Sequence, residues 1–174
     1  MALFELTNLR RLRKACLYLI CIVVALWLQT MALPRLELFG AKPFFIPALV
    51  VAIGMCEGGV WGGLLGILAG IGCDWAFSDS TVLFLVLFAA FGFLSGMLSE
   101  YLINRSFFAC MLLSVLALAV TALCQVIPLW IFRGAEPRGL LTVAGLQALW
   151  SLPFAALSYP VVKRIAGRDR DLLK

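Results

Sequence analysis

The chain has 174 residues, a length typical of one domain, and 64% of them are hydrophobic against only 13% charged. A soluble fold with so little polar surface could not cover its apolar side chains, whereas a lipid bilayer accepts an apolar exterior. The net charge of +5 does not indicate a nucleic-acid-binding protein, because the basic residues cluster at the two ends of the chain. The composition therefore predicts an integral membrane protein.

Six apolar segments follow one another along the chain, and most approach the roughly 20 residues that a helix needs to cross a hydrocarbon core of about 30 Å. We predict an all-α membrane protein, with a six-helix transmembrane bundle over residues 15–163. A basic N-terminal segment, residues 1–14, precedes the bundle, and a basic tail, residues 164–174, follows it. The predicted helices cover residues 15–33, 43–56, 59–77, 81–103, 107–132 and 140–162.

The second of these segments is the shortest, and it contains Pro43 and Pro47. It is compatible with a short tilted helix, with one arm of a re-entrant hairpin, or with a helix that begins earlier, near Leu36. Backbone amides in lipid must be hydrogen-bonded within the protein. A non-helical version of this segment would therefore have to be shielded by its neighbours.

The distribution of lysine and arginine predicts the orientation, because cytoplasmic loops carry an excess of both. With six crossings, ten of the 14 basic residues fall on one side of the membrane and four on the other. We therefore expect both termini in the cytoplasm and an even number of crossings. The ten are Arg10, Arg11, Arg13, Lys14, Arg105, Lys163, Arg164, Arg168, Arg170 and Lys174, and the four are Arg35, Lys42, Arg133 and Arg138.

The third segment, GGVWGGLLGILAGIGCDW, carries glycine at every fourth position, and the fourth segment repeats the spacing once. This spacing places the glycines on one helix face, where they permit the close approach on which helix association in lipid depends. Packing within the bundle and a seam for a partner helix or ligand are both compatible with the pattern. Leucine at two of these positions, Gly66 and Gly70, should disrupt the bundle or its complex. The full set is Gly58, Gly62, Gly66, Gly70, Gly92 and Gly96.

Four polar residues inside or beside the apolar segments are candidates for specific contacts. Asp74 ends the third segment, where a carboxylate is either exposed to water or makes a contact that fixes the next loop or a partner. Glu57 precedes the third segment and is expected to cap its N-terminus. Gln125 and Gln147 lie within the last two segments, where they could hydrogen-bond across the bundle or line a small pocket.

The end of the fourth segment carries Glu100, Asn104 and Arg105. Glu100 and Asn104 are four residues apart and share a helix face. A docking patch on the inner surface and an ordinary polar helix end are both compatible with this arrangement.

Catalytic and metal-binding constellations are missing from the sequence. The chain has no histidine, and its six cysteines form no C-x-x-C pair, so we expect no zinc site. It also has no G-x-S-x-G elbow, P-loop or dinucleotide fingerprint. We therefore assign no catalytic residue, metal or cofactor. A small membrane enzyme is a weaker interpretation than the two non-catalytic ones given below.

The stretches PFFIPALVVAIGMCEGGVWGGLLGILAGIGCDW and FGFLSGMLSEYL resemble MreD, the rod shape-determining membrane protein family of bacteria. The family pattern is a proline-led second helix, a glycine-stepped third helix ending in aspartate, and a glycine-containing fourth helix. The chain departs from the pattern after the aspartate, where it has Ser78, Asp79 and Ser80 in a turn that tends to contain glycine in the family. The matching positions are Pro43, Pro47, Gly62, Gly66, Gly70, Asp74, Gly92 and Gly96.

This resemblance implies a non-catalytic subunit of the cell-elongation machinery in the inner membrane. Its implied partners are MreC, a single-span periplasmic protein, and, directly or through MreC, the MreB filament, the glycosyltransferase RodA and a class B penicillin-binding protein. The implied fold is similar to the substrate-binding S component of energy-coupling-factor vitamin transporters.

An S component is also the alternative function. It would need polar side chains converging on one pocket, for which Gln125, Gln147, Arg133 and Glu136 are the candidates. The first helix lacks the four-residue alanine spacing that such proteins tend to show, since its alanines include Ala15, Ala25 and Ala32.

Overall fold

The computed structural model of the protein describes residues 2–35, 42–77, 83–101, 106–133 and 137–167. Within these ranges 95% of the residues are helical and no strand is present. A π-helical turn, Leu28–Ala32, and a 3-10 turn, Leu33–Arg35, extend the first helix. The α-helices are α1 (Ala2–Trp27), α2 (Ile46–Glu57), α3 (Gly59–Ala76), α4 (Leu83–Tyr101), α5 (Phe107–Arg133) and α6 (Pro137–Gly167).

Among the described residues, five stretches of helix are long and apolar enough to cross a membrane, which is the character of a multi-pass membrane protein. The basic N-terminal segment is helical and continuous with the first span, because α1 begins at Ala2 and the apolar stretch begins at Leu12. Helix α2 has only 12 residues, a length of about 18 Å against a hydrocarbon core of about 30 Å. The five stretches are Leu12–Ala32, Gly59–Ala76, Leu83–Tyr101, Phe107–Ile127 and Gly139–Gly167.

Helix α2 lies at the centre of the bundle, in contact with α3, α4, α5 and α6. Every residue from Ile46 to Met55 is buried. The sequence of α2 is apolar on all sides, and such a helix belongs either in lipid or inside a protein. Since it is too short to reach both membrane surfaces, it takes the enclosed position. The alternative of a helix that begins near Leu36 is wrong, because Lys42 to Phe45 are not helical.

Helices that follow one another in the chain run in opposite directions, whereas α2 and α4 run in the same direction, with Phe44 near Phe84 at one end and Met55 near Ser99 at the other. Helix α1 packs on α3 and α6, and its Tyr18 bonds to Glu57 of α2. Gln29, in the π-helical turn after α1, bonds to Pro43 just before α2. Phe107, which begins α5, stacks on Tyr159 near the end of α6, with ring centroids 5.7 Å apart. We call the end formed by Lys14, Glu57, Gly58 and Glu100 the Lys14 end, and the opposite end, formed by Gln29, Pro43 and Asp74, the Asp74 end.

Glycines bring the backbones of α2, α3 and α4 into direct contact. A Cβ atom added at Gly62 would lie 2.5 Å from the Cα of Gly54 in α2 and 2.5 Å from the carbonyl oxygen of Gly92 in α4. Added Cβ atoms at Gly66 and Gly70 would also meet the backbone of α4. Within this chain, the glycine face of α3 is therefore covered by α4, with α2 against its first turns.

Replacing Gly66 by alanine should destabilise the fold, because the new methyl group would meet the carbonyl oxygen of Phe88. We expect a loss of about 1–3 kcal/mol in the free energy of unfolding, measured by denaturant titration in detergent. Gly63 is the matched control, since a Cβ there would lie 3.5 Å from its nearest neighbour, an ordinary contact. Gly63→Ala should be neutral or stabilising by up to about 1 kcal/mol. Equal stability of the two variants would contradict backbone-to-backbone packing of α3 on α4.

Candidate functional site

The most unusual feature of the bundle is the non-helical segment Lys42–Phe45 that leads into α2, which we call the leading segment. Pro43, Phe44 and Phe45 are buried. Helix α2 extends only about 18 Å from the Lys14 end, whereas a hydrocarbon core is about 30 Å thick. The leading segment therefore lies inside the hydrocarbon core and not at its surface. Non-helical backbone is tolerated at that depth only where the protein itself satisfies the backbone polar groups.

Gln29 supplies two of these hydrogen bonds from the end of the first span. Its side-chain Nε2 donates to the carbonyl oxygen of Pro43 at 2.7 Å, and the backbone N–H of Phe45 donates to its Oε1 at 3.4 Å. Gln29 lies in the π-helical turn Leu28–Ala32 and is only 4% exposed. Such wide turns often mark functional positions, and this one directs a carboxamide into the bundle.

Ser151 of α6 supports the leading segment from the other side. The backbone N–H of Phe44 donates to Ser151 Oγ at 2.7 Å, and the Ser151 hydroxyl donates to the carbonyl oxygen of Gln147 at 2.6 Å. The ring of Phe44 packs against three further phenylalanine rings, with centroids 5.5 to 6.3 Å away. The leading segment is thus fixed by α1, α4 and α6 together. The three rings are those of Phe77, Phe84 and Phe88.

The sequence analysis did not single out Gln29 or Ser151. A detectable signal exists at Gln29, because a carboxamide inside an apolar span is costly and usually has a partner. Ser151 gives no comparable signal, since serine is common in membrane helices and its partner is a backbone group 107 residues away in the sequence.

Asp74 at the end of α3 caps the N-terminus of α4. Its carboxylate accepts hydrogen bonds from the backbone N–H groups of Phe84 at 3.2 Å and Leu85 at 3.1 Å. These are among the first N–H groups of α4, which have no partner inside their own helix. The positive end of the α4 dipole favours the carboxylate, which offsets the unfavourable C-terminal end of α3. Asp74 therefore makes the kind of contact that fixes one helix against the next.

Glu57 joins α2 to α1 at the Lys14 end. Its Oε1 accepts a hydrogen bond from the hydroxyl of Tyr18 at 2.8 Å and lies 3.6 Å from Nζ of Lys14. Lys14 and Tyr18 are one turn apart on α1 and share a face. The prediction that Glu57 caps α3 is wrong, because the N-cap residue of α3 is Gly58 and no side chain caps that helix.

Of the three residues predicted to form an inner-surface patch, Glu100 lies at the turn between α2 and α3. Gly58 has φ +94°, a conformation that glycine adopts without strain, and the carboxylate of Glu100 occupies the position where a Cβ on Gly58 would lie. Gly96 of α4 contacts the same turn. The structure therefore brings Glu100, Gly58 and Gly96 together, whereas Asn104 and Arg105 lie outside the described residues, as do residues 78–80.

Gln125 and Gln147 line one small cleft between α5 and α6. Phe44 of the leading segment also lines this cleft, and the cavity measures about 10 Å³. A cavity of this size holds about one water molecule. Its other lining residues are Leu118, Thr121, Ala122, Ala148 and Ser151.

No three histidine, cysteine, aspartate or glutamate side chains come together as metal ligands in the part of the chain that the structure describes. Gln29, Asp74 and Ser151 all bond to backbone groups of this chain. Their arrangement stabilises the bundle and does not expose a reactive group.

The fold and these contacts define a multi-pass helical membrane protein with a short enclosed helix at its centre. Compared with known proteins, the chain matches no family model, no curated protein and no solved structure. A functional proposal therefore depends on the residues and contacts of the chain itself.

Replacing Gln29 by leucine should destabilise the fold, because the Pro43 carbonyl and the Phe45 N–H would lose their partner. The expected loss is about 1–3 kcal/mol for each buried group left unpaired, measured by denaturant titration in detergent. Gln125→Leu is the matched control, since the Gln125 carboxamide has no bonding partner among the described residues. Equal stability of the two variants would contradict the support of the leading segment by Gln29.

Replacing Asp74 by alanine should lower the stability by about 1 kcal/mol, the usual cost of losing a helix cap. Asp74→Asn retains one acceptor oxygen but no charge, and its stability should lie between that of the unmodified protein and that of Asp74→Ala. Denaturant titrations of the three proteins in one detergent provide the measurement. A stability of Asp74→Ala equal to that of the unmodified protein would exclude a capping role.

Proposed function

We propose that this chain is a non-catalytic membrane scaffold of the bacterial cell-elongation machinery, a protein of the MreD family. In this role it binds MreC in the cytoplasmic membrane and helps to link MreB filaments to peptidoglycan synthesis. RodA and a class B penicillin-binding protein are the enzymes that the assembly would organise, directly or through MreC.

One observation carries this proposal: the positions of the MreD resemblance take part in a single packed unit. Gly62 and Gly92 join α3 to α4 beside Gly54 of α2, and Asp74 caps α4. Pro47 lies in the first turn of the enclosed helix, where proline is tolerated because no intrahelical N–H bond is needed. The shared pattern thus has a common physical purpose, a rigid α2–α3–α4 unit.

The contacts of the polar residues favour a scaffold over an enzyme. The buried side chains of Gln29 and Ser151 bond to the leading segment, and Ser99 Oγ donates to the carbonyl oxygen of Met55 at 3.0 Å. Each of these polar groups links one element of the bundle to another. Such a protein can offer a rigid surface within the membrane to partner helices.

The charges favour an orientation with the Lys14 end in the cytoplasm. Arg13 on α1 and both Lys163 and Arg164 on α6 are exposed. Basic residues beside the cytoplasmic leaflet gain about 1 kcal/mol each from anionic headgroups. This orientation would place the basic ends next to the cytoplasmic MreB filament.

The size of the cleft between α5 and α6 disfavours the alternative of a vitamin-binding S component. Pockets for organic ligands have volumes of about 300–1,000 Å³. The cleft at Gln125 and Gln147, two of the four candidate pocket residues, measures about 10 Å³. Glu136 and the side chain of Arg133, the other two candidates, lie outside the part of the chain that the structure describes. These glutamines are therefore not positioned around a vitamin-sized cavity.

The direct test is purification of the tagged full chain from its native bacterium in a mild detergent, followed by mass spectrometry. We expect MreC to co-purify at a level well above that seen with an unrelated tagged membrane protein of similar size. A tightly bound vitamin together with transporter ATPase subunits would overturn the proposal in favour of the S component. Absence of MreC from the purified protein would also contradict it.

A further inference from the structure

The outer helices of the bundle present apolar faces of different length to the membrane. Four of them form two pairs, α3–α4 and α5–α6, and both pairs contact α2. In a membrane protein, tryptophan and tyrosine are enriched where an apolar face meets the lipid headgroups, and charged groups lie at or beyond that level. The distance along the helix between such markers, which we call the hydrophobic height, therefore measures how much hydrocarbon one side of the bundle can cover.

The hydrophobic height of α3 is small. Trp61 and Trp75 are exposed at its two ends and are 14 positions apart in the sequence, which is about 21 Å along the helix axis. The side chains of Leu64, Leu68 and Ile71 are exposed between them. These five residues follow one another at intervals of three or four and therefore share one helix face. We call this face the α3 row.

Charged groups limit α4 to a similar hydrophobic height. The carboxylate of Asp74 accepts hydrogen bonds from the N–H groups of Phe84 and Leu85 at the start of α4, and Glu100 is exposed near its end. Phe84 and Glu100 are 16 positions apart, which is about 24 Å along the axis. Asp74 cannot reach a more distant membrane surface, because its two hydrogen bonds hold it at the start of α4.

The other pair of helices has a greater hydrophobic height. On α5 the exposed rings of Phe108 and Trp130 are 22 positions apart, about 33 Å, and on α6 the exposed side chains of Leu141 and Val161 are 20 positions apart, about 30 Å. No charged residue lies between the members of either pair. Both heights match a hydrocarbon core of about 30 Å, whereas the α3–α4 side falls short of it by about 6–9 Å.

Helix tilt does not remove this difference. A tilted helix covers less of the membrane normal, so tilting cannot lengthen the α3–α4 side. Transmembrane helices tilt by about 20° on average and by about 40° at most, and α5 would have to tilt by more than about 40° before its height fell to that of α4. A side that is shorter than the hydrocarbon core is accommodated by local thinning of the bilayer or by association with another protein.

We propose that the α3–α4 side thins the bilayer around it and binds phospholipids with short acyl chains in preference to longer ones, whereas the α5–α6 side does neither. Lipid is the occupant of the α3 row because its tryptophans stand at both ends, as they do at two headgroup layers. Close association of helices in lipid depends on small residues, and the α3 row has none. The proposal needs only the membrane-spanning helices and goes beyond the proposed function.

The first test uses the unmodified protein in nanodiscs of dioleoyl phosphatidylcholine. A water-soluble gadolinium chelate broadens the amide NMR signals of residues that lie near the headgroups. We expect broadening at both Trp61 and Trp75 but not at Leu123, which is 15 positions from Phe108 and so lies as far along α5 as Trp75 lies along α3. Equal broadening of Trp75 and Leu123, whether weak or strong, would overturn the proposal, and so would protection of Trp61.

The second test measures lipid preference with two matched variants. One variant retains only Trp75 and the other only Trp130, with phenylalanine in place of the other four of the five tryptophans. Brominated dioleoyl phosphatidylcholine quenches the fluorescence of each tryptophan, and dimyristoleoyl phosphatidylcholine, whose chains are four carbons shorter, competes with it. Trp75 should report a preference of about two-fold or more for the shorter lipid, and Trp130 should report none.

Two results of the second test would contradict the proposal. The same preference at Trp75 and Trp130 would exclude thinning on one side only. A folded variant in which no lipid quenches Trp75 would show that a protein, such as a second copy of this chain, covers the α3 row. Thermal unfolding of both variants is the control for folding, and the first test decides the proposal without any substitution.

Discussion

The structure depends on one constraint: backbone polar groups inside a membrane must be satisfied by the protein itself. Helices meet this constraint alone, but the leading segment, Lys42–Phe45, does not. Gln29 from the first span and Ser151 from the last supply the missing partners. The first and last spans, which are distant in sequence, are thereby fixed around the start of α2. Their positions determine the position of α2.

The enclosure of α2 explains the glycine pattern. A helix at the centre of six leaves little space between its neighbours, so α3 and α4 must approach it and each other closely. Gly54, Gly62 and Gly92 meet where the three backbones converge. Asp74 then fixes the start of α4 to the end of α3. At the Lys14 end, the bonds of Glu57 to α1 close the other end of α2.

The helical class and the approximate positions of the long spans could be predicted from the sequence, because runs of apolar residues report membrane depth directly. The glycine face of α3 was also visible, since four-residue spacing defines a helix face. The sequence did not show that α4 covers this face, because residue spacing does not identify which helix packs against it. The length of α2 could not be predicted either: Pro43 and Pro47 indicate a helix start, but only the bonds to Gln29 and Ser151 show that non-helical backbone is stable there. Gln125 and Gln147 were recognisable as polar residues in spans, yet their meeting at one cleft depends on the register of α5 and α6.

Amide hydrogen exchange of the protein in lipid nanodiscs, followed residue by residue with NMR, tests the enclosed position of the leading segment most directly. The N–H groups of Phe44 and Phe45 are bonded to Ser151 and Gln29. We expect them to exchange as slowly as the N–H of Ile53 in the middle of α2, although they lie outside any helix. Exchange of Phe44 and Phe45 at the rate of an exposed loop would contradict the enclosed segment and the bundle built around it.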